Sequence, residues 1–92
     1  MPFEWDADKN RENIRKHGID FVDVPEMFSG PMLVDLDDRF DYGEERLIGI
    51  GLLRSIVAVV VFTERISDVI RIISARKATK YERQRYEREF SD

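Results

Sequence analysis

The sequence contains no cysteine and a single histidine, His17, among its 92 residues. Without thiols the chain can form neither a disulfide framework nor a thiolate metal site. A zinc site or a two-metal nuclease site needs several histidine, cysteine or carboxylate ligands, and this composition disfavours both. The sequence therefore predicts no metal and no cofactor, so that any reaction would use side chains alone.

The sequence also lacks long apolar runs. No stretch reaches the roughly 18 residues typical of a membrane-spanning helix, and the first residues do not form the apolar core of an export signal. We therefore expect a cytoplasmic protein without membrane contacts. A chain of 92 residues can bury one modest core and is too short for two, which predicts a single domain over residues 1–92.

Charged residues make up 37% of the chain and are unevenly distributed. Residues 1–45 carry 13 acids and 5 bases, a charge of -8, whereas residues 46–92 carry 10 bases and 6 acids, a charge of +4. The net charge of -4 argues against non-specific nucleic-acid binding, and we expect no direct DNA binding by this chain alone. A local cluster of cations in the second half is nevertheless compatible with a phosphate-bearing substrate.

Two apolar stretches in the second half organise the predicted fold. The run Ile56–Phe62 is β-branched on both alternating faces, which predicts a central strand buried on two sides. The next stretch, 68–75, contains Arg71, whose guanidinium must meet a carboxylate, line a wet cleft or hold an anion. A period of two would place Val69, Arg71, Ile73 and Ala75 on one face of this strand, and Ile70, Ile72 and Ser74 on the other.

The remaining patterns predict the order β, α, α, β, β, β, β, α. The predicted elements are strand Phe3–Trp5, helix Ala7–His17, a helix capped by Asp20 and running to Phe28, strands Met32–Leu36, Glu44–Leu52, Ile56–Phe62 and 68–75, and helix Lys77–Phe90. Asp6 and Gly18 are the expected caps of the first helix. Pro25 is expected to kink or shorten the second helix. This order predicts an α+β domain with an antiparallel meander sheet of about four strands.

Helical and strand periodicity also predicts which side chains face the core. In the first helix Lys9, Asn13 and His17 form a polar stripe, while Ile14 is expected to face inward. The inward residues expected in the second helix are Phe21, Val24 and Phe28. In the last helix they are Ala78, Glu82, Tyr86 and Phe90 at steps of four, with Tyr81 alongside. Alternate glycines, Gly49 and Gly51, thin one face of their strand and indicate either a close neighbour or a bulge.

Short motifs in a fixed order run through nearly the whole chain. They are Phe3-Glu4-Trp5-Asp6, Asn13, Lys16-His17-Gly18-Ile19, Phe21, Tyr42-Gly43-Glu44-Glu45-Arg46, Ile48-Gly49, Thr63-Glu64-Arg65 and Arg71-Ile72-Ile73-Ser74-Ala75-Arg76. Together they resemble the BrnT family of type II toxins. The resemblance implies a RelE-like ribonuclease fold, with two N-terminal helices, a meander sheet and a C-terminal helix. It also implies metal-free RNA cleavage that inhibits translation, and a cognate BrnA-type antitoxin that binds DNA as a dimer and forms a hetero-oligomer with the toxin.

Metal-free RNA cleavage needs a base for the 2'-hydroxyl proton, cations for the phosphate and a proton donor for the leaving 5'-oxygen. The candidate phosphate clamps are Arg46, Arg65, Arg71 and Arg76. Glu64 and His17 are candidate bases, and His17 and Lys77 are candidate acids. Lys77, Lys80 and Asn13 are expected to bind the RNA substrate.

Two alternatives use the same residues differently. The arginines would pair with acids, above all Glu44, Glu45 and Glu64, in a structural ion-pair network. His17 would be a helix-terminal histidine stabilised by the helix dipole. The corresponding function is a non-catalytic protein-binding module of a small two-gene system.

Overall fold

A computed structural model describes residues 1–91 and shows an α+β fold. The elements are β1 (Phe3–Glu4), α1 (Ala7–His17), a 3-10 helix (Phe21–Ser29), β2 (Met32–Asp37), β3 (Arg46–Leu53), β4 (Ile56–Glu64), a short 3-10 segment (Ile66–Asp68), β5 (Ile70–Lys77) and α2 (Lys80–Phe90). The bounds predicted for α1 are confirmed, as are its caps, because Asp6 accepts a hydrogen bond from the Lys9 N–H and Gly18 ends the helix with a φ of 70°. No helix among these residues is long and apolar enough to span a membrane.

The sheet has five strands in the order β1-β5-β4-β3-β2. Strands β2 to β5 form the expected antiparallel meander. The expectation of a wholly antiparallel sheet of about four strands is wrong, because β1 adds a fifth strand that runs parallel to β5. Phe3 and Glu4 pair with Ile70 and Arg71, so the beginning of the chain is joined to a strand 67 residues further on.

The predicted second α-helix is a 3-10 helix, although Asp20 caps it as expected by accepting from the Val22 N–H. Pro25 lies inside it and has no N–H to donate to an α-helical hydrogen bond. The tighter turn also changes the inward face, since the buried residues are Phe21, Val24 and Met27, spaced by three. Met27 therefore takes the core position that α-helical spacing assigned to Phe28, which packs partly buried against Phe62.

The two faces of the sheet are covered differently. The 3-10 helix covers one face, where the larger core cluster includes Phe21, Val24, Met27, Val60, Phe62 and Ile72. On the opposite face, Tyr86 of α2 packs with Ile50 and Val59. The expected inward position of Tyr81 is wrong, because this side chain is 67% exposed. The predicted start of α2 at Lys77 is also wrong, because the helix begins at Lys80, after a capping box formed by Thr79 and Glu82.

Helix α1 lies against the edge of β5 beyond the end of β1. Asn13 is buried there, and its Nδ2 donates to the carbonyls of Ile19 and Ala75 while its Oδ1 accepts from the Ala75 N–H. The predicted inward position of Ile14 is wrong, because this side chain is 41% exposed. The edge of β5 presents backbone N–H and C=O groups that no neighbouring strand pairs. The Asn13 amide can both donate to and accept from such groups, which an apolar side chain cannot do.

The alternate glycines of β3 make room for a close neighbour and do not mark a bulge. Gly49 and Gly51 pair regularly with Val60 and Ala58 of β4. A methyl group added at either glycine would press on the side chain of Met32. Met32 of the neighbouring strand therefore fills the space that the two missing side chains leave on this face.

Candidate functional site

A row of polar side chains crosses the sheet on the face that α2 leaves partly open. Asp37 pairs with Arg46, Thr63 pairs with Arg71, and Arg71 pairs with Glu4. Leu47 pairs with Phe62, which places Arg46 across from Thr63. Residues that are directly opposite in neighbouring strands share a face, so these five side chains form one continuous row. We call the face that carries it the arginine face.

A β-bulge in β5 brings Arg76 to the same face. The register changes between Val61 and Phe62, which pair with Ser74 and Ile72 and leave Ile73 as the extra residue. The predicted faces of β5 are therefore wrong beyond Ile72: Ala75 is fully buried in the core, and Ser74 and Arg76 join the face of Arg71. Without this extra residue, strict alternation would put Arg71 and Arg76 on opposite faces.

Glu4 holds two arginines at the β1 end of the row. Arg71 Nη1 donates to Glu4 Oε2 at 2.8 Å, and Arg65 Nε lies 3.4 Å from the same oxygen. The Arg71 side chain is 28% exposed, so its guanidinium is partly shielded and yet reachable from solvent. Among residues 1–91, this hydrogen bond is the contact recorded for the Arg71 guanidinium, and the remaining N–H groups stay available to an anion.

Arg46 and Thr63 form the middle of the row. The guanidinium of Arg46 stacks on the Tyr42 ring, 3.9 Å from the ring centroid. Its Nε and the Thr63 hydroxyl are buried and find no hydrogen-bond partner among the described residues. Buried donors without partners are uncommon in folded proteins, and a phosphate oxygen is an acceptor that would satisfy both.

The loop between β2 and β3 is fixed against this end of the face by Asp37. Its buried carboxylate accepts two hydrogen bonds from the Arg39 guanidinium and one from the Tyr42 hydroxyl. These bonds, led by those from Arg39, lower the pKa of Asp37 to about 2. The carboxylate is thereby kept ionised and holds Tyr42 in place beneath Arg46.

Arg76 is engaged by a carboxylate of α2. Its Nη1 and Nη2 donate to Glu82 Oε1 and Oε2 at 2.8 and 2.9 Å, and the same Glu82 accepts from the Thr79 N–H. The guanidinium lowers the pKa of Glu82 to about 2, and the carboxylate raises the pKa of Arg76. This pair fastens the start of α2 to β5, so Arg76 has a structural contact as well as a position on the arginine face.

Glu64 lies on the other face. It pairs with Ile70 and, together with Phe62 and Ile70, lines a cavity of about 220 Å³ on the side of the larger core cluster. Neighbouring residues of a strand point in opposite directions, so Glu64 and Thr63 face away from each other. The structure does not bring this candidate base together with the arginines.

His17 lies at the rim of the site. It is exposed at the end of α1 and lines a cavity of about 240 Å³ with Ile73 and Ser74, the two residues at the bulge. Ser74 belongs to the arginine face, so the imidazole is next to that face at the edge of β5.

The three predicted substrate-binding residues are not collected at the row. The Asn13 amide is taken up by backbone hydrogen bonds between α1 and β5. Lys77 ends β5 and lines a cavity of about 540 Å³ under α2, and Lys80 is exposed at the first turn of that helix. This cavity, although large, contains none of the four candidate arginines.

The ion-pair partners expected for the arginines, Glu44, Glu45 and Glu64, are only partly those that the structure shows. Glu44 lies 3.7 Å from Arg46, as one alternative anticipated. Glu45 and Glu64 make no recorded ion pair among residues 1–91, and the carboxylates that do pair with the arginines are Glu4 and Glu82. Glu4 is far from Arg65 and Arg71 in the sequence, and Glu82 lies in a different element from Arg76. Neither pairing could therefore be inferred from adjacent residues.

Comparisons with known proteins show the family to which this chain belongs. A family model described as "Ribonuclease toxin, BrnT, of type II toxin-antitoxin system" matches residues 5–82. The chain belongs to the BrnT family. The 1.1 Å crystal structure of the Brucella abortus ribonuclease toxin BrnT is similar to this structure, with a TM-score of 0.68 and 32% identity, and the match covers 87% of this chain and 99% of that one. No curated protein sequence matches the chain significantly.

The BrnT resemblance seen in the sequence motifs is thus confirmed. The family is described as ribonuclease toxins of type II systems, and such a family implies an antitoxin partner. In the part of the chain that the structure describes, no group of three or more histidine, aspartate or glutamate side chains is placed to hold a metal ion.

Sequence reasoning did not assign Glu4, Asp37, Tyr42 or Thr63 to the arginine face. Glu4 and Thr63 belong to motifs that carried the family resemblance, and Glu4 lies in a predicted strand, so their presence was visible. Their roles could not be read from the sequence. Glu4 lies beside Arg71 only because β1 pairs with β5, and Thr63 does so only because β4 pairs with β5. The stacking of Tyr42 on Arg46 likewise depends on how the loop folds back.

Proposed function

We propose that this BrnT-family chain is a metal-independent, RelE-like endoribonuclease toxin that cleaves RNA on its arginine face and thereby inhibits translation in the cytoplasm. The single observation that carries the proposal is the collection of Arg46, Arg65, Arg71 and Arg76 on one face of the sheet. Four permanently charged side chains on one face are suited to an RNA backbone, whose charge lies in its phosphates.

The centre of the row supports binding of the scissile phosphate. Arg46 and Arg71 flank Thr63, and neighbouring strands are about 4.8 Å apart, so the three side chains are within reach of one phosphate group. Arg46 Nε and the Thr63 hydroxyl donate no hydrogen bond to any described residue, although Glu44 Oε2 lies 3.7 Å from that Nε. Guanidinium groups directed at a phosphate stabilise the charge that builds up on its oxygens as the bond to the 2'-oxygen forms.

The second candidate function is a non-catalytic protein-binding module. The bidentate pair between Arg76 and Glu82 favours it, because this arginine is already neutralised within the fold. A module would use the arginine face to bind an acidic protein and would have no effect on RNA.

Replacement of Arg71 by alanine distinguishes the two functions. As a phosphate clamp, Arg71 contributes to transition-state binding, and Arg71→Ala should lower cleavage by about 10²- to 10³-fold, or about 3 to 4 kcal/mol. Cleavage is measured with purified protein in EDTA, on an RNA oligonucleotide and on messenger RNA in a translating extract. Arg88→Ala is the matched control, because Arg88 is exposed on α2 and makes no recorded ion pair among residues 1–91.

The melting temperatures of both variants complete this test. We expect each to stay close to that of the unmodified protein, since the Arg71 ion pair with Glu4 is partly exposed and contributes about 1 kcal/mol or less. A folded Arg71→Ala protein with full activity would contradict the clamp. An unmodified protein that leaves RNA intact in both assays and causes no growth arrest would favour the module.

We also propose that the antitoxin is of the BrnA type, a DNA-binding dimer that forms a hetero-oligomer with the toxin. The cavity under α2 supports a segment of such a partner, because Leu52, Val57, Tyr86 and Phe90 give it an apolar lining while Lys77 and Arg83 lie among its other residues. An apolar segment with acidic flanks fits this chemistry, and its association should slow as salt increases. Co-expression with the small reading frame next to the toxin gene should restore growth, and a neighbouring gene without a DNA-binding motif would argue against this partner.

A further inference from the structure

We propose that Glu4 is the general base of the reaction, with its free carboxylate oxygen accepting the proton of the RNA 2'-hydroxyl. This inference rests on the proposed ribonuclease function and assigns a residue that the sequence did not suggest for the site. Glu4 stands at the end of the polar row, directly opposite Arg71 in the β1–β5 pairing. Phe3, its neighbour in β1, packs against Phe28 on the core side, so Glu4 points to the arginine face.

The two oxygens of Glu4 have different surroundings. Oε2 carries both recorded contacts, 2.8 Å to Arg71 Nη1 and 3.4 Å to Arg65 Nε. Oε1 has no recorded hydrogen bond among residues 1–91, and the Glu4 side chain as a whole is 41% exposed, so solvent reaches the carboxylate. The arginines therefore orient the carboxylate through one oxygen and leave the other available for proton transfer.

Position favours Glu4 over the other candidate bases. A base must lie within hydrogen-bond reach of the 2'-hydroxyl, which is attached to the sugar next to the bound phosphate. Glu4 is on the strand adjacent to Arg71, whereas Glu64 faces the opposite side of the sheet. His17 lines a cavity with Ile73 and Ser74, further along β5 than Arg71, whereas Glu4 is directly opposite Arg71.

The proposed step is a transesterification in which atoms and charge balance. Glu4 takes the 2'-hydroxyl proton as the 2'-oxygen forms a bond to phosphorus, and the bond from phosphorus to the 5'-oxygen breaks. The leaving 5'-oxygen takes a proton from a general acid, either the His17 imidazolium or a water molecule. The products are a 2',3'-cyclic phosphate and a 5'-hydroxyl end, and Glu4 then returns its proton to solvent.

The test compares Glu4→Gln with the unmodified protein on an RNA that the unmodified protein cleaves. Glutamine keeps the size of the side chain and an oxygen for Arg71 but cannot take up the proton. We expect kcat to fall by about 10²- to 10⁴-fold, with KM changed by less than about threefold. The decline of kcat at acidic pH that a carboxylate base produces should disappear, and formate should partly restore activity to Glu4→Ala.

The charged groups close to Glu4 also affect how the pH profiles of kcat are compared between variants. Those recorded against it are Arg71 of β5 and Arg65, which follows β4, at 2.8 and 3.4 Å from Glu4 Oε2. Glu89→Gln, an exposed change on α2, is the matched control and should leave kcat and the pH profile unchanged. If Glu4→Gln unfolds, Glu4→Asp replaces it and should retain the acidic decline with a lower kcat.

Several results would overturn this assignment. One is a Glu4→Gln protein with kcat within about threefold of the unmodified protein. Another is a variant that keeps the acidic decline and loses only RNA affinity, which would make Glu4 a positioning residue for the arginines. A loss of the acidic decline in Glu64→Gln would assign the base to Glu64. If the unmodified protein cleaves no RNA, the proposed function itself fails, a result distinct from an active protein in which Glu4 is dispensable.

Discussion

The buried amide of Asn13 gives the sharpest test of how α1 is attached to the sheet. Its three hydrogen bonds join the helix to Ala75 of β5 and to the Ile19 carbonyl, at distances of 2.9 to 3.0 Å. The side chain is 5% exposed, so water does not reach these groups readily. Asn13→Ala would leave one N–H and two carbonyl groups of the backbone without partners.

The expected loss can be worked from these contacts. Each buried backbone group that loses its partner costs about 1 to 3 kcal/mol, and partial access of water to the vacated space favours the lower values. We therefore expect Asn13→Ala to lower the free energy of unfolding by about 3 to 5 kcal/mol, out of a total of about 5 to 15 for a domain of this size. At about 4 to 8 °C per kcal/mol, the melting temperature should fall by more than about 12 °C.

Asn13→Asp is the more discriminating change, because it keeps the shape of the side chain. The carboxylate can still accept from the Ala75 N–H, but it faces the carbonyls of Ala75 and Ile19 with no donor. Thermal and urea unfolding measure both variants against Lys9→Ala, an exposed change one turn earlier on α1 that should cost about 0.5 kcal/mol or less. A melting temperature of Asn13→Asp within about 3 °C of the unmodified protein would refute the reasoning. If that stable variant also lost RNA binding, the substrate-binding role predicted for Asn13 would be favoured.

Two further predictions concern pH and the single histidine. The folded pKa of Glu82 is about 2, below its ordinary value of 4.5, so its pair with Arg76 stabilises the fold above about pH 4.5 and this contribution is lost as the pH falls towards 2. Because the Arg76 side chain is 40% exposed, we expect this contribution to be about 1 kcal/mol. Urea unfolding at about pH 6 and pH 3 should show a loss of stability that is larger by this amount in the unmodified protein than in Glu82→Gln, since the loss from Asp37 is common to both. His17→Gln should lower RNA cleavage by about 10²-fold and change its pH profile, with little effect on stability; an unchanged rate and profile would make His17 a helix-terminal residue only.

Local patterns predicted the parts of the fold that local chemistry controls. The cap residues Asp6 and Gly18 defined α1, because their side-chain and backbone preferences act within one helical turn. The apolar run beginning at Ile56 identified the central strand. Pro25 correctly marked a disturbed second helix, but its effect on the helix type required the packed structure, where residues spaced by three reach the core.

The sequence predicted which arginines belong to the candidate site, but not which carboxylates lie beside them. The arginines were recognised because a guanidinium within an apolar strand needs an anionic or wet environment, and Arg71 has both Glu4 and partial exposure. The partner carboxylates were not recognised, since adjacency in the sequence favoured Glu45 and Glu64. The structure instead pairs the arginines with Glu4 and Glu82, which the sheet and α2 bring close.

The sequence by itself determined the family motifs, the helix caps, the central strands and the basic character of the second half of the chain. These depend on residue type and on spacing over a few positions. Only the tertiary structure decided which of those residues share a face. The bulge at Ile73 shifts the alternation of β5 by one residue and aligns Arg76 with Arg71, and the β1–β5 pairing adds Glu4 to the same row. Both depend on contacts between strands, because register is fixed by the packing of partner strands and not by the period of either strand alone.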